Sequence, residues 1–450
     1  MSNHDTIAAI ATAAGRAGIG VIRVSGQRLH AFTQSICGKA LNARAATLCE
    51  FNDGQGDRID QGIAVYFPAP QSYTGEDVLE LQGHGGPVVL QRLLKRCLAL
   101  GARVAEPGEF SKRAYLNGKM DLAQAEGVAD LIDAATEQAA RCANRSVQGQ
   151  FSDAIHVLGR QLVELRALTE AILDFPDEEI DAGTRDDQAR RLAALQAGLA
   201  QLLKASDQGS LLREGALVVL VGQPNVGKSS LLNRLAGEEV AIVTEIPGTT
   251  RDAIRQSISL YGVPVHVIDT AGLRDSSDPV ERIGIARTWE AIERADLAVL
   301  VIDATQGEMA GKTVEDSAIV ARLPKGLPCL RVYNKADLAG KEVGRARVGE
   351  NETVTLSAKT GEGIEALRLA VAEAIGWRGE AEGVFMARTR HLEALRRAQS
   401  GLAQAAAEVL RQEMFAEELR ESHEALMSIT GEVTSEDLLG EIFSRFCIGK

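Results

Sequence analysis

Gly222-Gln223-Pro224-Asn225-Val226-Gly227-Lys228-Ser229 is the stretch that decides the fold of this chain. It fits the pattern G-x-x-x-x-G-K-[ST]. It follows an apolar, strand-like run, Ala216–Val221, and opens a helix expected over Ser230–Ala236. That is the context the pattern requires. The glycines let backbone N–H groups curl around phosphate oxygens, and the helix N-terminus adds a partial positive charge. Lys228 would reach the β- and γ-phosphates, and the Ser229 hydroxyl would ligate Mg²⁺. A tight glycine turn is the plain structural alternative.

Three further signals lie downstream. Asp269-Thr270-Ala271-Gly272 ends a strand expected over Val265–Ile268. Its carboxylate can hold the Mg²⁺ shell, and the Gly272 N–H can meet a γ-phosphate. Asn334-Lys335-Ala336-Asp337 ends the run Cys329–Tyr333, where a carboxylate can accept two N–H bonds from guanine and would repel the adenine pattern. Ser357-Ala358-Lys359 ends the run Thr353–Leu356 and can back the same base. Each alone is a common loop composition. In this order, each at the C-terminal end of a strand, they read as a guanine-nucleotide site on an open α/β sheet.

Thr244-Glu245-Ile246-Pro247-Gly248-Thr249-Thr250-Arg251-Asp252 lies between the first helix and the next strand. Thr250 is a candidate second hydroxyl ligand to Mg²⁺, made only in the triphosphate state, which would make the segment a switch. A threonine-rich turn is the bland alternative. Leu273 follows Gly272, so no amide side chain is placed there to orient water. Glu281, at the start of a helix expected over Val280–Ala295, is one candidate for that task. Asp278-Pro279-Val280-Glu281 reads equally as a capping box. Asn225 could help hold a monovalent cation near the phosphates, or serve the turn conformation alone.

The rest of the chain sets the frame. Its 450 residues suffice for two to four domains at ~100–200 residues each. Hydrophobic residues make up 45% and charged residues 25%, which excludes wholesale disorder. With 49 basic and 62 acidic side chains the net charge is -13, so a general binder of nucleic acid or anionic membrane is disfavoured, and RNA contact must be local or supplied by a partner. Cys37, Cys49, Cys97, Cys142, Cys329 and Cys447 lie far apart and read as reduced, cytosolic thiols. The start, Met-Ser-Asn-His-Asp, is not a secretory signal. No apolar run approaches the ~20 residues that cross a bilayer, so a cytoplasmic location is expected.

Three textures follow one another. Residues 1–118 are glycine-rich, with strands expected at Thr6–Ala11, Gly20–Val24, Gly62–Phe67 and Val78–Gln82, and a helix opened by Pro87: an α+β domain. Beyond it, Phe151, Ile155, Leu158, Leu162, Leu165, Leu168 and Ile172 share one helical face. A polar helix is expected over Asp186–Leu203, and Ser206–Ser210 reads as a linker. Residues 213–376 alternate strands and helices as a parallel sheet does. After Gly376 the helical texture returns, with Leu392, Leu395, Ala398, Leu402, Ala405 and Val409 on one face. The simplest organisation is an α/β domain at 213–376, inserted into a helical domain formed by 119–212 plus 377–450.

These residues resemble the MnmE (TrmE) family of tRNA-modifying GTPases, of the TrmE-Era-EngA-like superfamily. The resemblance covers nearly the whole chain. Besides the segments above it rests on Glu281-Arg282-Ile283-Gly284-Ile285, Tyr73-Thr74-Gly75-Glu76-Asp77, Pro107-Gly108-Glu109-Phe110, Asn117-Gly118-Lys119-Met120-Asp121-Leu122 and Phe446-Cys447-Ile448-Gly449-Lys450. It implies a multidomain fold: an α+β N-terminal domain like tetrahydrofolate-binding folds, which also dimerises, a discontinuous all-α domain, and an inserted Ras-like P-loop G domain.

The resemblance further implies GTP hydrolysis, stimulated by K⁺ and by G-domain dimerisation. It implies work with an FAD-dependent partner of the MnmG (GidA) type, in a heterotetramer, on C5 of the wobble uridine (position 34) of certain tRNAs. The one-carbon unit would come from 5,10-methylenetetrahydrofolate or a 5-formyl analogue. GTP contacts would fall on Asn225-Val226-Gly227-Lys228-Ser229-Ser230, Thr244 to Thr250, Asp269 to Gly272, Asn334 to Asp337 and Ser357 to Lys359. Mg²⁺ would take Ser229 and Thr250. The K⁺ ligands would be Asn225, Thr244, Ile246 and Thr249. Glu281 would orient the attacking water. Folate contacts would match Arg23, Glu80, Lys119 and Lys450, where Arg and Lys can pair with carboxylates and Glu80 can accept pterin N–H bonds. The alternative class is a ribosome-assembly or signalling switch with no part in modification. Cys447 reads as a buried or redox-silent thiol, with a chemical role as the alternative, and without a prenylation pattern around it.

Overall fold

The computed structural model describes residues 5–174, 182–237, 255–269, 292–309, 314–348, 351–379, 383–433 and 436–449. The chain divides into two compact units, Met1–Ala129 with His423–Lys450, and Asp130–Ser422.

The first unit is built on six strands: β1 (Ile7–Ile10), β2 (Ala17–Gly26), β3 (Thr47–Asn52), β4 (Arg58–Phe67), β5 (Asp77–Gly85) and β6 (Arg103–Val104). Their order in the sheet is β3-β4-β5-β2-β1-β6. All neighbours are antiparallel except β1 and β6. Side chains alternate across the sheet: Ile22 and Val24 of β2 are buried, while Arg23 between them takes the other face. The buried face packs under helices α1 (His30–Cys37) and α2 (Pro87–Ala99), joining Ile22, Val24, Phe51, Leu79, Leu81 and Leu93 in one core. Helix α2 starts at Pro87, as the proline suggests. Strand β3 and helix α1 are additions to the sequence reading. β3 buries only Cys49 and Phe51, and α1 has no side-chain N-cap, so both carry weak local signals. Helix α3 (Glu109–Leu116) follows, and then α4 (Leu122–Ile132). Within this unit Leu122 and Ala125 pack on Leu439, Ile442, Phe443 and Phe446 of the C-terminal stretch.

The second unit combines helices with a seven-stranded sheet. Helices α5 (Glu137–Val147), α6 (Gln150–Asp174) and α7 (Ala182–Glu214) precede β7 (Ala216–Val221) and α8 (Lys228–Ala236). Then come β8 (Arg255–Leu260), β9 (Val263–Asp269), β10 (Leu297–Asp303), β11 (Cys329–Asn334), β12 (Gly344–Val348) and β13 (Asn351–Thr355). The sheet order is β12-β13-β11-β10-β7-β9-β8. Its five central strands are parallel and both edge pairs antiparallel. Strands buried on both faces need near-continuous apolar runs, and β7 and β10 have them. The fold class is the multidomain one expected: α+β at the N-terminus, helices before and after, and an α/β sheet between.

On α6 the stripe Phe151, Ile155, Leu158, Leu162 and Leu165 is buried as expected. It then continues through Thr169 instead of Leu168. The Thr169 hydroxyl donates to the Leu165 carbonyl at 2.8 Å and accepts from Gln188 Nε2 at 3.2 Å. On the helix Thr389–Ala407, Leu392, Leu395, Ala398, Leu402 and Ala405 are buried, while Val409 lies beyond the helix end.

Ser206–Ser210 is corrected. It is not a linker but part of α7, which runs unbroken to Glu214. The cause is tertiary. Leu199, Leu202 and Leu212 are buried on either side of it. A Cβ on Gly209 would lie 1.6 Å from the Phe385 carbonyl oxygen, so only glycine admits that strand of chain. Gln208 donates to the Gly376 carbonyl at 2.9 Å and accepts from the Arg378 N–H at 3.1 Å. Asp130 accepts from Arg213 at 2.9 Å and from Arg388 at 2.8 Å. The chain leaving the sheet is thereby tied to the helix that leads into it. At the other end of the hairpin β8–β9, the Thr136 hydroxyl caps α5 by accepting from the Ala139 N–H at 3.1 Å. It also donates to the Gly262 carbonyl at 2.7 Å.

Among the described residues no helix is long and apolar enough to cross a membrane. Among them, too, no group of three or more His, Cys, Asp or Glu is placed to hold a metal ion. All six cysteines are free; four are buried and Cys447 is exposed.

Candidate functional site

The loop after β7 is shaped by backbone positions that reject side chains. Gly222 has φ +146, and a Cβ on it would come within 2.3 Å of the Val301 carbonyl oxygen. Gly227 has φ +96, and its Cβ would meet Asn334 Nδ2 at 2.4 Å. Between them Asn225 takes φ +62, a left-handed conformation that asparagine tolerates better than most residues. Conformation therefore accounts for an asparagine there on its own, beside any role toward a cation.

Helix α8 begins at Lys228, two residues earlier than the sequence suggests, with Gly227 as its N-cap and no acidic side chain in its first turn. The opening turn of a helix has N–H groups without an intrahelical carbonyl, and such an end suits an anion. Lys228 Nζ donates to the Gly222 and Gln223 carbonyls at 2.8 and 3.0 Å, which lays the buried ammonium across the loop. The Ser229 hydroxyl donates to Asp269 Oδ2 at 2.9 Å. Two hard oxygen donors, one anionic, converge there from α8 and from the end of β9. That donor set suits Mg²⁺.

The loops after β11 and β13 join the same end of the sheet. Asn334 Nδ2 donates to the Val226 carbonyl at 2.9 Å, and its Oδ1 accepts from the Ala358 N–H at 2.9 Å. The residue is buried, so both bonds are sheltered from water. Ser357 Oγ donates to Asp337 Oδ1 at 2.7 Å and accepts from the Thr360 N–H at 3.2 Å, leaving the second Asp337 oxygen uncommitted to Ser357. The Ala336 N–H donates to the Leu356 carbonyl at 3.1 Å. Arg234 of α8 donates to the carbonyls of Ala358 at 3.3 Å and Lys359 at 2.7 Å. Lys335 Nζ donates to the Asn225 carbonyl at 2.8 Å and to Asp303 Oδ2 at 2.7 Å.

The structure therefore brings together Asn225 to Ser229, Asp269, Asn334 to Asp337 and Ser357 to Lys359 at the C-terminal ends of β7, β9, β11 and β13. Asp303 is the member that the sequence reading passed over. Its only signal was a carboxylate ending an apolar run. Thr244 to Thr250, Thr270, Ala271, Gly272 and Glu281 lie outside the described residues, as does Lys450.

Arg23 and Glu80 are opposed in the register of β2 and β5. Arg23 Nε and Nη2 both donate to Glu80 Oε1, at 3.1 and 2.9 Å, and Nη1 donates to the Gly449 carbonyl at 3.3 Å. The guanidinium also stands 5.3 Å from the Tyr73 ring and 5.9 Å from that of Phe110. Lys119 is exposed; its stem passes 3.3 Å from where a Cβ on Gly75 would lie.

The N-terminal segments that carried the family resemblance meet in one buried network. Arg113 donates to Glu109 and Asp5 at 2.9 and 2.8 Å, and to Glu76 at 3.0 Å. Ser25 Oγ donates to Glu76 Oε2 at 2.7 Å, and Asn117 Nδ2 donates to the Thr74 carbonyl at 2.7 Å. Burial opposes ionisation of Glu109, but Arg103, the Glu106 N–H and Arg113 outweigh it, and its carboxyl is held below the usual range. At Asp5 the hydrogen bond from Arg103 leads, against a desolvation cost, with the same sign.

Two family models match the chain. The model for the GTP-binding protein TrmE N-terminus matches residues 6–119, and that for the MnmE helical domain matches residues 122–447. The chain is 58% identical over 460 residues to the tRNA modification GTPase MnmE of Nitrosomonas eutropha, covering 100% of each. It is 58% identical over 455 residues, again with 100% coverage of both, to that of Nitrosomonas europaea. A solved structure of the FeoB G-domain from Methanococcus jannaschii is 30% identical, covers 36% of this chain and 97% of that one, and gives a TM-score of 0.26.

Proposed function

The chain belongs to the MnmE family of tRNA modification GTPases, and from that premise we propose how its own residues serve GTP hydrolysis and the modification. The chain is a GTPase with a role in tRNA modification. The observation that carries the proposal is the convergence, at one end of the parallel sheet, of Lys228, the Ser229–Asp269 pair and the Asn334 clamp.

In this reading the triphosphate lies in the loop Gly222–Ser229. Lys228 exchanges its loop carbonyls for β- and γ-phosphate oxygens, and the N–H groups opening α8 meet the remaining charge. Asp337 accepts two N–H bonds from guanine, held in place by Ser357. Mg²⁺, held by Ser229 and Thr250 with Asp269 behind them, would neutralise charge that builds on the phosphates. Asn225, Thr244, Ile246 and Thr249 would hold K⁺. Glu281 would orient the attacking water. A homodimer would form through the N-terminal domain and bring G domains together for hydrolysis.

The one-carbon folate would bind at Arg23, Glu80, Lys119 and Lys450. The Arg23–Glu80 ion pair supports this by offering a guanidinium and a carboxylate side by side, edged by Tyr73 and Phe110. An FAD-dependent partner of the MnmG type would join the heterotetramer that modifies C5 of uridine 34, in the cytoplasm. With a net charge of -13, much of the tRNA grip would lie on that partner. The proposed organisation remains 1–118, 119–212 with 377–450, and 213–376.

The decisive experiment is GTP turnover in K⁺ against Na⁺, for the wild type and Glu281→Ala. The proposal expects turnover to fall in Na⁺ and to fall by ~10²-fold or more in the variant with GTP affinity kept. Equal rates in both salts would remove the K⁺ assignment. Unchanged tRNA nucleosides in a deletion strain would remove the wobble-uridine role.

A further inference from the structure

We propose that Asp303 is a positioning residue for guanine-nucleotide retention, acting through Lys335 to hold the base loop against the P-loop backbone at Asn225. The inference rests on the guanine-nucleotide reading of this site and adds a residue which that reading does not contain.

Asp303 ends β10 and Asn334 ends β11, and the two are paired in register. The Asp303 carboxylate thus emerges beside the first residue of the base loop. One of its oxygens accepts from Lys335 Nζ at 2.7 Å. The other accepts from the Thr305 N–H at 3.0 Å and the Thr305 hydroxyl at 2.7 Å, so the turn after β10 fixes its orientation. Burial works against the charged form, but Lys335 and Thr305 outweigh it and keep the carboxyl below the ordinary carboxylate value. It is anionic throughout the neutral range.

The same ammonium donates to the Asn225 carbonyl at 2.8 Å. Lys335 has φ +68 and Asn225 φ +62. Two of the five non-glycine residues with positive φ among the described residues therefore meet at one ammonium. Such conformations are strained and persist only where neighbours enforce them. A lysine stem also has many rotamers to lose on ordering. Asp303 removes much of that freedom before any ligand arrives. The pair is partly sheltered, with the Asp303 side chain 17% and that of Lys335 28% exposed, so solvent screens it less than a surface pair. Without the carboxylate, Lys335 has one neutral acceptor left among these bonds, and the link from base loop to P-loop loosens. Binding then bears the ordering cost that the apo protein now bears, and the nucleotide leaves faster.

The test is dissociation of a fluorescent GDP analogue from the full-length chain, for wild type, Asp303→Asn, Lys335→Met and the double variant. Asp303→Asn should release the analogue about tenfold faster. Lys335→Met should do so at least as strongly. The double variant should match Lys335→Met alone, because Asp303 has no route to the nucleotide except that ammonium. Thr305→Val, which removes the hydroxyl bond to Asp303 but keeps the backbone N–H bond and does not touch Lys335, should give an increase of about threefold. The unfolding midpoints of the nucleotide-free variants should stay with that of the wild type. A change under twofold for Asp303→Asn, or effects that add in full in the double variant, would overturn the inference. Wild-type protein that fails to bind the analogue would instead sink the guanine-nucleotide reading beneath it.

Discussion

Asn334 and Val226 are joined by a hydrogen bond of 2.9 Å that ties the loop after β11 to the loop after β7. The opposite end of the same carboxamide accepts from the Ala358 N–H. One buried side chain thus fixes the spacing of three loops.

Asn334→Ala strands a buried carbonyl and a buried N–H, each costing about 1–3 kcal/mol when unpaired. GTP affinity should fall at least tenfold by titration calorimetry. A loss below twofold would show that the three loops hold their spacing without it.

Gly227→Ala places a methyl 2.4 Å from Asn334 Nδ2 at a residue with φ +96. Either the clamp opens or the loop shifts, and strain of order 1–3 kcal/mol is added. The expected result is a loss of ~10²-fold in GTP affinity with the circular dichroism spectrum retained. Tight binding by this variant would contradict the close approach of the two loops.

Asp337→Asn replaces an acceptor with a group that is half donor. The variant should lose most of its preference for guanine over adenine nucleotides, read from competition binding. Ser357→Ala should weaken GTP binding by a smaller factor, since it removes the bond that aims the carboxylate and the one accepted from the Thr360 N–H but leaves the carboxylate itself in place.

Gly209→Ala forces a methyl into the Phe385 carbonyl. The helix or the crossing strand must move, at about 3 kcal/mol or more. A urea midpoint equal to that of the wild type would mean that α7 is free of that strand in solution.

Glu109 and Asp5 have folded-state values below their unfolded ones. Their stabilisation is therefore present above the unfolded values, near roughly 4, and is lost as pH falls through the lowered folded values. Urea midpoints should drop steeply below about pH 4, and Arg113→Met should lower stability by about 3–5 kcal/mol at pH 7 while flattening that drop. An unchanged acid limb in Arg113→Met would place the cause elsewhere.

The nucleotide loops were readable because each motif is local. A glycine, a lysine and a serine within eight residues dictate one turn and one helix start, whatever surrounds them. Ser206–Ser210 was misread for the same reason. Asp-Gln-Gly-Ser looks like a turn when only neighbours in sequence are weighed. What keeps it helical is the Phe385 carbonyl and the bonds of Gln208 to Gly376 and Arg378, more than 160 residues away. Strand β3 and helix α1 gave little signal, because they are short and bury only two and four residues, Cys49 and Phe51 in the one and Phe32, Thr33, Ile36 and Cys37 in the other. Arg23 and Glu80 pair because β2 and β5 are in register, a fact that no spacing in the chain encodes.

Local chemistry by itself determined the alternation of strands and helices around residues 216–356, the turn and helix start at Gly222–Ser229, and the family. Backbone preference and hydrophobic period act over a few residues, so they survive in one dimension. Tertiary structure alone decided that Asp303 faces Lys335, that Asn334 spans three loops and that Arg113 gathers Glu76, Glu109 and Asp5. These relations depend on strand register and on which charges are brought within hydrogen-bonding distance, and both exist only once distant segments have packed.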